Sequence, residues 1–429
     1  MKKILTYKLK SAALQFAIFI AVLIALLLGS LVLYVYTFVY LKGQSKASIE
    51  NVQLADSGMN YLLQQSEINS DTTAIPYLES DNQKIKVNLS YWGIFEKAFV
   101  KTEHRQKNFI KTAFVGSEIN SKTDPTLYLQ ENYNPLSVVG LTKISGNTYL
   151  PSQGIKPGYI AGQSYYGAQM IYGTTKRSGI QLPKIEKKCF DGLLFYSITY
   201  KPVNSSLTIY KTKNQIIKNS FKSAPRNYYS SNPILLENTE LTGNIIIKSD
   251  TIIQIKKSAK LKDIILIAPE ILIEDEVTGN FQCIASKSIK VGKACKLSYP
   301  TALILIQENK DKPMTTNIKP FENQIFINAG TIIKGSVCYF QTNELTDFKT
   351  QLILEKNSRI KGQVYCQGNF ELKGTVSGCV FTKQFISNTA GSVFVNHILN
   401  GTIENENTPD IYGGIIFEKD KKSILKWLY

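Results

Sequence analysis

The sequence predicts a mainly β protein, with a long N-terminal transmembrane helix followed by a small β module and a hexad-repeat parallel β-helix. Three observations carry that expectation. No charge stands between Lys10 and Lys42; apolar residues recur at every sixth position from Ile253; and Lys84-Ile85-Lys86-Val87-Asn88-Leu89 alternates polar with apolar. The 429 residues suggest two or three domains at about 150 residues each. With 43% hydrophobic and 19% charged residues, the chain has material for a sizeable core and is no disordered polar tract. Of 50 basic residues only Arg105, Arg177, Arg226 and Arg359 are arginine, against 33 acidic ones, for a net charge of +17. A Lys-rich surplus gives an even cationic surface and argues against base-specific reading, which leans on the planar Arg fork. Non-specific contact with DNA or glycans stays open.

Residues 12–41 form the first element. Only Gln15, Gly29, Ser30 and Thr37 interrupt its apolar run. As a helix it spans roughly 45 Å, more than the ~30 Å hydrocarbon core. A cleaved secretory signal has an apolar region of only about 7–15 residues. Lys2, Lys3, Lys8 and Lys10 precede the span, and Lys42 and Lys46 follow it. This bias predicts a cytoplasmic N-terminus (leader 1–11) and an exterior body, with Tyr34, Tyr36 and Tyr40 at the outer interface. The expected location is the bacterial inner membrane, single-pass, with the body periplasmic or extracellular.

The helix is expected to continue over 42–68. Ile49, Val52, Ala55, Met59 and Leu62 or Leu63 recur at spacings of three and four, with polar Glu50, Asn51, Gln53, Asp56 and Asn60 between them. The alternative is an anchor with a short stalk and no assembly role. The basic leader, Ser11-Ala12-Ala13-Leu14, and the run Leu54-Ala55-Asp56-Ser57-Gly58-Met59-Asn60-Tyr61 resemble minor pilins and pseudopilins, closest to the PilX-like branch, over residues 1–65. The resemblance implies leader processing between Ser11 and Ala12. It also implies lateral packing through Phe16, Ile49, Val52 and Met59 against other pilin-like or secretion-machine subunits. Two positions depart from that family: Ser11 stands where leaders end in Gly, and Phe16 stands where most mature helices carry Glu.

Residues 80–135 read as a small β module, with strands at 84–89, 94–100 and 109–115. His104, among polar neighbours, reads as a solvated turn residue. From Ile253 the six-residue set Ala259, Ile265, Ile271, Val277, Cys283, Ile289 and Cys295 has a companion two residues on: Ile255, Leu261, Ile267, Ile273, Gly279, Ala285, Val291 and Leu297. Each pair faces one way along a strand. A parallel β-helix with three hexads per coil accounts for such a period, here over 241–400. A fainter run at Leu136/Val138, Thr142/Ile144 and Thr148/Leu150 predicts first coils over 136–183. Residues 184–240 read as an insertion, with strands around 193–200 and 207–210, and 401–429 as a cap and basic tail. Gly335, Gly362 and Gly374 each follow an Ile-Lys or Leu-Lys pair, where the chain would turn a corner at positive φ. These units resemble the polymer-forming, bactofilin-like β-helix over about 240–395, which implies self-association.

The chemistry is thin. Six cysteines contain no CxxC pair, and Cys283, Cys295 and Cys366 fall on inward positions as core filler. A bridge between Cys338 and Cys379 is the better disulfide candidate. Two histidines give no zinc set. Glu274, Asp275 and Glu276 form the densest acidic group, but the repeat places them in a turn. Arg359-Ile360-Lys361 matches a pectin-hydrolase tripeptide without the Asp pair or Gly-His-Gly those enzymes need. His397 is a candidate base for acyl transfer, outside the clear hexads. No catalytic, metal or cofactor residue is assigned, and the expected function is non-enzymatic: a pilin-like structural subunit presenting a β-helix for assembly, adhesion, cargo or DNA. The alternatives are a permanently anchored β-helix scaffold and a tethered carbohydrate-active enzyme. The best surface patch is Tyr159, Tyr165, Tyr166, Lys176 and Arg177, with Lys156 and Tyr172.

Overall fold

The computed structural model describes residues 11–65, 71–75, 78, 83–105, 107–118, 123–200, 215–307, 323–342, 348–389, 391–405, 414–418 and 420–428. The leader (1–10) and the strand expected at 207–210 lie outside them. The fold is mainly β with one long helix, Ser11–Gln64. Two compact units divide the chain. One holds residues 1–58, 74–86 and 100–110, the other 59–73, 87–99 and 111–429.

In the first unit the apolar stretch is helical and fully exposed. Its polar side chains turn back on the helix: Ser30 Oγ donates to Leu27 O (2.8 Å) and Thr37 Oγ1 to Leu33 O (2.9 Å). This is how hydroxyls are satisfied where no water is available. Further along, Ala47, Asn51 and Ala55 are buried. Asn51 Nδ2 donates to Lys107 O (3.1 Å), and Thr102 Oγ1 donates to Asn51 O (3.2 Å). His104 is not the solvated turn residue expected; it is buried, with Nε2 3.0 Å from Glu50 Oε2. The strand Phe95–His104 carries it inward rather than leaving it in a loop.

A five-stranded sheet runs in the order Thr73–Ala74, Gln83–Trp92, Phe95–His104, Lys107–Ser117 and Lys422–Leu428. Its last strand corrects the reading of 401–429 as cap and tail. Leu428 pairs antiparallel with Thr112 and Lys422 with Ser117. Within the larger unit, Lys422 Nζ donates to Glu96 Oε1 (2.7 Å) and Gln65 O (3.0 Å). Glu96 is fully buried, and that burial pushes its carboxyl above the usual range, with Lys422 opposing. Between the free Glu value of about 4.3 and the raised native one, the folded chain holds a proton that the unfolded chain has lost. Stability from this group therefore falls as pH rises through that window. Urea unfolding of wild type and Glu96→Gln from pH 4 to 8 should show wild type losing stability relative to the variant as pH rises; a constant difference would refute this.

The rest of the larger unit is a parallel β-helix. Ile253 pairs with Ile271 and Ile271 with Ile289; Leu261 pairs with Gly279 and Gly279 with Leu297. Each step is 18 residues, three hexads. The step from Ile325 to Leu352 is longer, at 27 residues. The core is the inward column, including Ile253, Ile271, Ile289, Ile325, Leu352 and Phe370. The solenoid begins earlier than 241, since strands Ile216–Asn219, Arg226–Ser230 and Ile234–Leu236 already pair with the next coil. Residues 136–183 are not first coils. Leu127 stacks on Val380, Val138 on Ile398 and Ile144 on Ile403, and Thr148–Leu150 then pairs with Thr175–Arg177. They extend the solenoid beyond its C-terminal coil. The strand expected at 193–200 is the helix Lys187–Leu194 and a π turn, Phe195–Thr199, because Cys189 and Leu193 bury one helical face.

A second apolar layer lies outside the coils. Ile246, Ile265, Ile304, Ile306, Phe340 and Phe381 form one cluster with Trp92, Phe95, Phe114, Leu193, Phe417 and Leu425. Ile265 and Ile267, expected inward, belong to this layer; Ile264 and Leu266 point into the core instead. The cause is Asp263, at φ 58, where the pairing to the next coil slips by one residue. Such an extra residue reverses the side-chain alternation after it.

Two of the three corner glycines take the positive φ expected, Gly335 (+140°) and Gly362 (+138°). Gly374 does not; Gly378 (+146°) is the third member, stacked in register with the others. Cys338 and Cys379 point out of the coil but are buried in the outer layer, and all six cysteines are free thiols. Cys338 pairs with Tyr365 while Cys379 pairs with Gln363. The two thus lie two strands apart and out of register, about 11 Å, beyond disulfide reach.

Candidate functional site

Three surfaces bear on function: the helix, the end coil and a groove at one corner of the solenoid. On the helix, Ser11 is the first residue of Ser11–Gln64, followed by Ala12, which is exposed. Phe16 is 65% exposed, Ile49 58% and Val52 38%, whereas Met59 is 1% exposed. Met59, expected to share the lateral face, is therefore a core residue. The buried stripe runs through Ala47, Asn51, Ala55, Met59 and Leu62, flanking Val52 and roughly opposite Ile49. Those two instead continue the exposed apolar surface of Phe38 and Leu41 past the span.

The residues of the predicted patch lie along the end coil, on separate segments. Tyr165 bridges to Gly140 and Tyr172 to Ser145, and the exposed strand Thr175–Arg177 forms the last rung. Tyr159 and Tyr166 are exposed. Tyr165 is only partly so: it packs on the core, and its hydroxyl donates to Gln169 O. Lys176 Nζ lies 5.6 Å from the Tyr149 ring, within cation–π range. Lys156 is on a separate strand, Ile155–Pro157, which pairs with Leu136–Val139.

The acidic turn is structural. Glu274 Oε1 accepts from Lys256 Nζ (2.5 Å) and Gln254 Nε2 (3.1 Å), Glu276 pairs with Lys257, and Asp275 Oδ1 accepts from Lys293 N (2.7 Å). His397 Nδ1 sits 2.7 Å from Val395 O and its ring lies against Phe394. Burial pushes the Cys366 and Cys379 thiols up to about 12, away from nucleophilic use.

The groove was missed by sequence reasoning. About 610 Å³ in volume, it is lined by Gln130, Gln181, Gln341 and Gln367, by Lys184, Lys187 and Lys383, and by Glu418, over a floor that includes Phe340 and Tyr365. Successive coils build one wall. Gln307 pairs with Gln341, Gln341 N donates to Gln367 Oε1 (3.0 Å), Cys366 pairs with Thr382 next to Lys383, and Gln130 N donates to Thr382 O (3.0 Å). The segment before the helix Lys187–Leu194 supplies the other wall, tied down by Tyr365 Oη donating to Pro183 O (3.1 Å). The available signal was a glutamine closing each apolar run: Ile306-Gln307, Phe340-Gln341 and Cys366-Gln367.

No protein-family model matches the chain, and no curated protein matches it. Among solved structures, the competence-associated pilin ComZ from Thermus thermophilus is similar at 10% sequence identity, over 84% of this chain and 86% of that one. The TM-score is 0.20, too low to bear on fold or role.

Proposed function

We propose that the chain is a non-enzymatic, membrane-anchored, pilin-like structural subunit that presents a β-helix outside the membrane. The observation that supports it is the unbroken 54-residue helix Ser11–Gln64. Its first thirty residues suit lipid and are exposed, and its last turns, at Met59 and Leu62, are buried. A simple anchor needs only about 20 apolar residues. Here Ile49 and Val52 add exposed apolar surface beyond the span, where lateral packing with like helices would use it. A double Ile49→Asp/Val52→Asp substitution should leave the circular dichroism of the body unchanged and cut helix-to-helix crosslinking in membranes at least fivefold. Unchanged crosslinking would refute the assembly face.

A second reading, a permanently anchored scaffold, is favoured by Ser11 and Phe16, the two departures from the pilin pattern. The mass of the N-terminal peptide from native membranes separates the two. A mature chain beginning at Ala12, with a methylated amine, supports the filament or secretion-machine reading. A peptide retaining Lys2 to Lys10 supports the scaffold.

A further inference from the structure

We propose that the corner groove binds a linear acidic saccharide, its carboxylates held by Lys184, Lys187 and Lys383 and its hydroxyls by the glutamine amides. The inference does not depend on how the helix is used.

Charge is the first argument. The groove carries three ammonium groups against the single carboxylate of Glu418. Among the described residues none of the three lysines makes an ion pair, although Lys256, Lys257 and Lys373 on the same solenoid all do. An anion is thus attracted without displacing an internal partner.

Spacing is the second. Gln341, Gln367, Lys383 and Gln130 occupy successive coils, and neighbouring strands lie about 4.8 Å apart, so polar groups repeat along the solenoid axis over roughly 14 Å. That presents a ladder to a polymer lying along the axis. The amides have capacity to spare, since each offers two donors and two acceptor sites. Gln341 and Gln130 each commit Nε2, to Gln367 O and Ile180 O. Gln181 commits no side-chain atom among the described residues.

The third argument decides between polyanions. Single-stranded nucleic acid binding uses open aromatic faces on which bases stack. Two of the three rings in this groove do not offer them, since Phe340 is 1% exposed and Tyr365 2%, and the third, Phe190, is half-buried and packed edge-to-face on Phe340. Nor does the groove contain an arginine, the residue suited to bidentate phosphate contact. Hydrogen-bonding amides with point charges fit hydroxyls and carboxylates instead.

The test uses the full-length protein in detergent, with fluorescent tetragalacturonate and a hyaluronan tetrasaccharide as probes, and maltotetraose and oligo(dT) as competitors. At least one acidic probe should bind, maltotetraose should compete at least tenfold less well, and oligo(dT) should not compete. The triple variant Lys184→Gln/Lys187→Gln/Lys383→Gln should raise Kd at least tenfold, with folding checked by circular dichroism. Gln367→Ala should weaken binding in the same direction, while Lys176→Gln/Arg177→Gln at the end coil should leave it unchanged. Binding of neither acidic probe would overturn the proposal. So would a Kd that follows the end-coil pair rather than the groove lysines, or oligo(dT) binding as tightly as the saccharides.

Discussion

Gly362→Ala is expected to cost the solenoid a large part of its stability. Gly362 sits at φ +138° in a column with Gly335 and Gly378. A Cβ there would stand 2.2 Å from Gly335 O, and the neighbour that must move is backbone. An L-residue at such a φ already costs about 1–3 kcal/mol, and overpacking against a fixed carbonyl adds about 1–3 more. The sum, about 2–6 kcal/mol, is a large fraction of the roughly 5–15 kcal/mol by which a typical domain is stable. The variant should lose its cooperative urea transition or show a midpoint shifted by more than 1 M. Gly154→Ala is the control, since a Cβ there meets nothing within 4 Å. It is also at positive φ (+68°), so its smaller loss carries a left-handed backbone cost without a clash. Equal effects of the two substitutions would mean that the column is not close-packed.

Lys426→Met should destabilise by about 3 kcal/mol, because it removes the ion-pair partner of a buried carboxylate. Lys426 Nζ donates to both oxygens of Asp263, at 2.6 and 2.7 Å, and Asn280 Nδ2 donates to the same group at 2.5 Å. Asp263's side chain is fully buried. Replacing both partners, Asp263→Asn/Lys426→Met, should recover most of the loss, since a neutral amide needs no counter-ion. The coupling is read from a double-mutant cycle on urea midpoints. Additive losses would show that the two groups do not depend on one another.

How much of this was legible in the residues follows from what each pattern encodes. The six-residue period is a local rule repeated many times, so the inward positions from Ile271 to Val376 were readable without knowing what covers the coil. The frame failed at Ile265 and Ile267 because one residue, Asp263, takes the left-handed conformation and shifts the alternation. An aspartate between Lys262 and Ile264 looks like any surface residue. The outer layer was half visible: residues 264–268 and 302–306 are apolar at both parities, the mark of a strand buried on two faces. What packs on them was not visible, because Trp92, Phe417 and Leu425 are far away in sequence. The end of the helix Lys187–Leu194 and the turn after it were read as a strand over 193–200, since eight residues with an internal Gly192 give little periodic signal. The groove was illegible for a related reason. Gln341, Gln367, Lys383 and Gln130 are neighbours only once the chain's order along the solenoid is known.

That order also sets a schedule. Leu127 pairs with Val380, 253 positions later in the chain. At roughly 5–20 residues per second, the segment around Leu127 waits about 13–50 s during synthesis for the coil it stacks upon. Strand Lys107–Ser117 waits longer still for Lys422–Leu428. The hexads between can zip up coil by coil from local contacts, but the molecule closes only when its two termini's neighbours meet. A nascent chain that loses its last dozen residues would therefore leave residues 107–117 as an open edge and Asp263 without its lysine. Arrival of the strand Lys422–Leu428 completes both the sheet edge and the ion pair at Asp263.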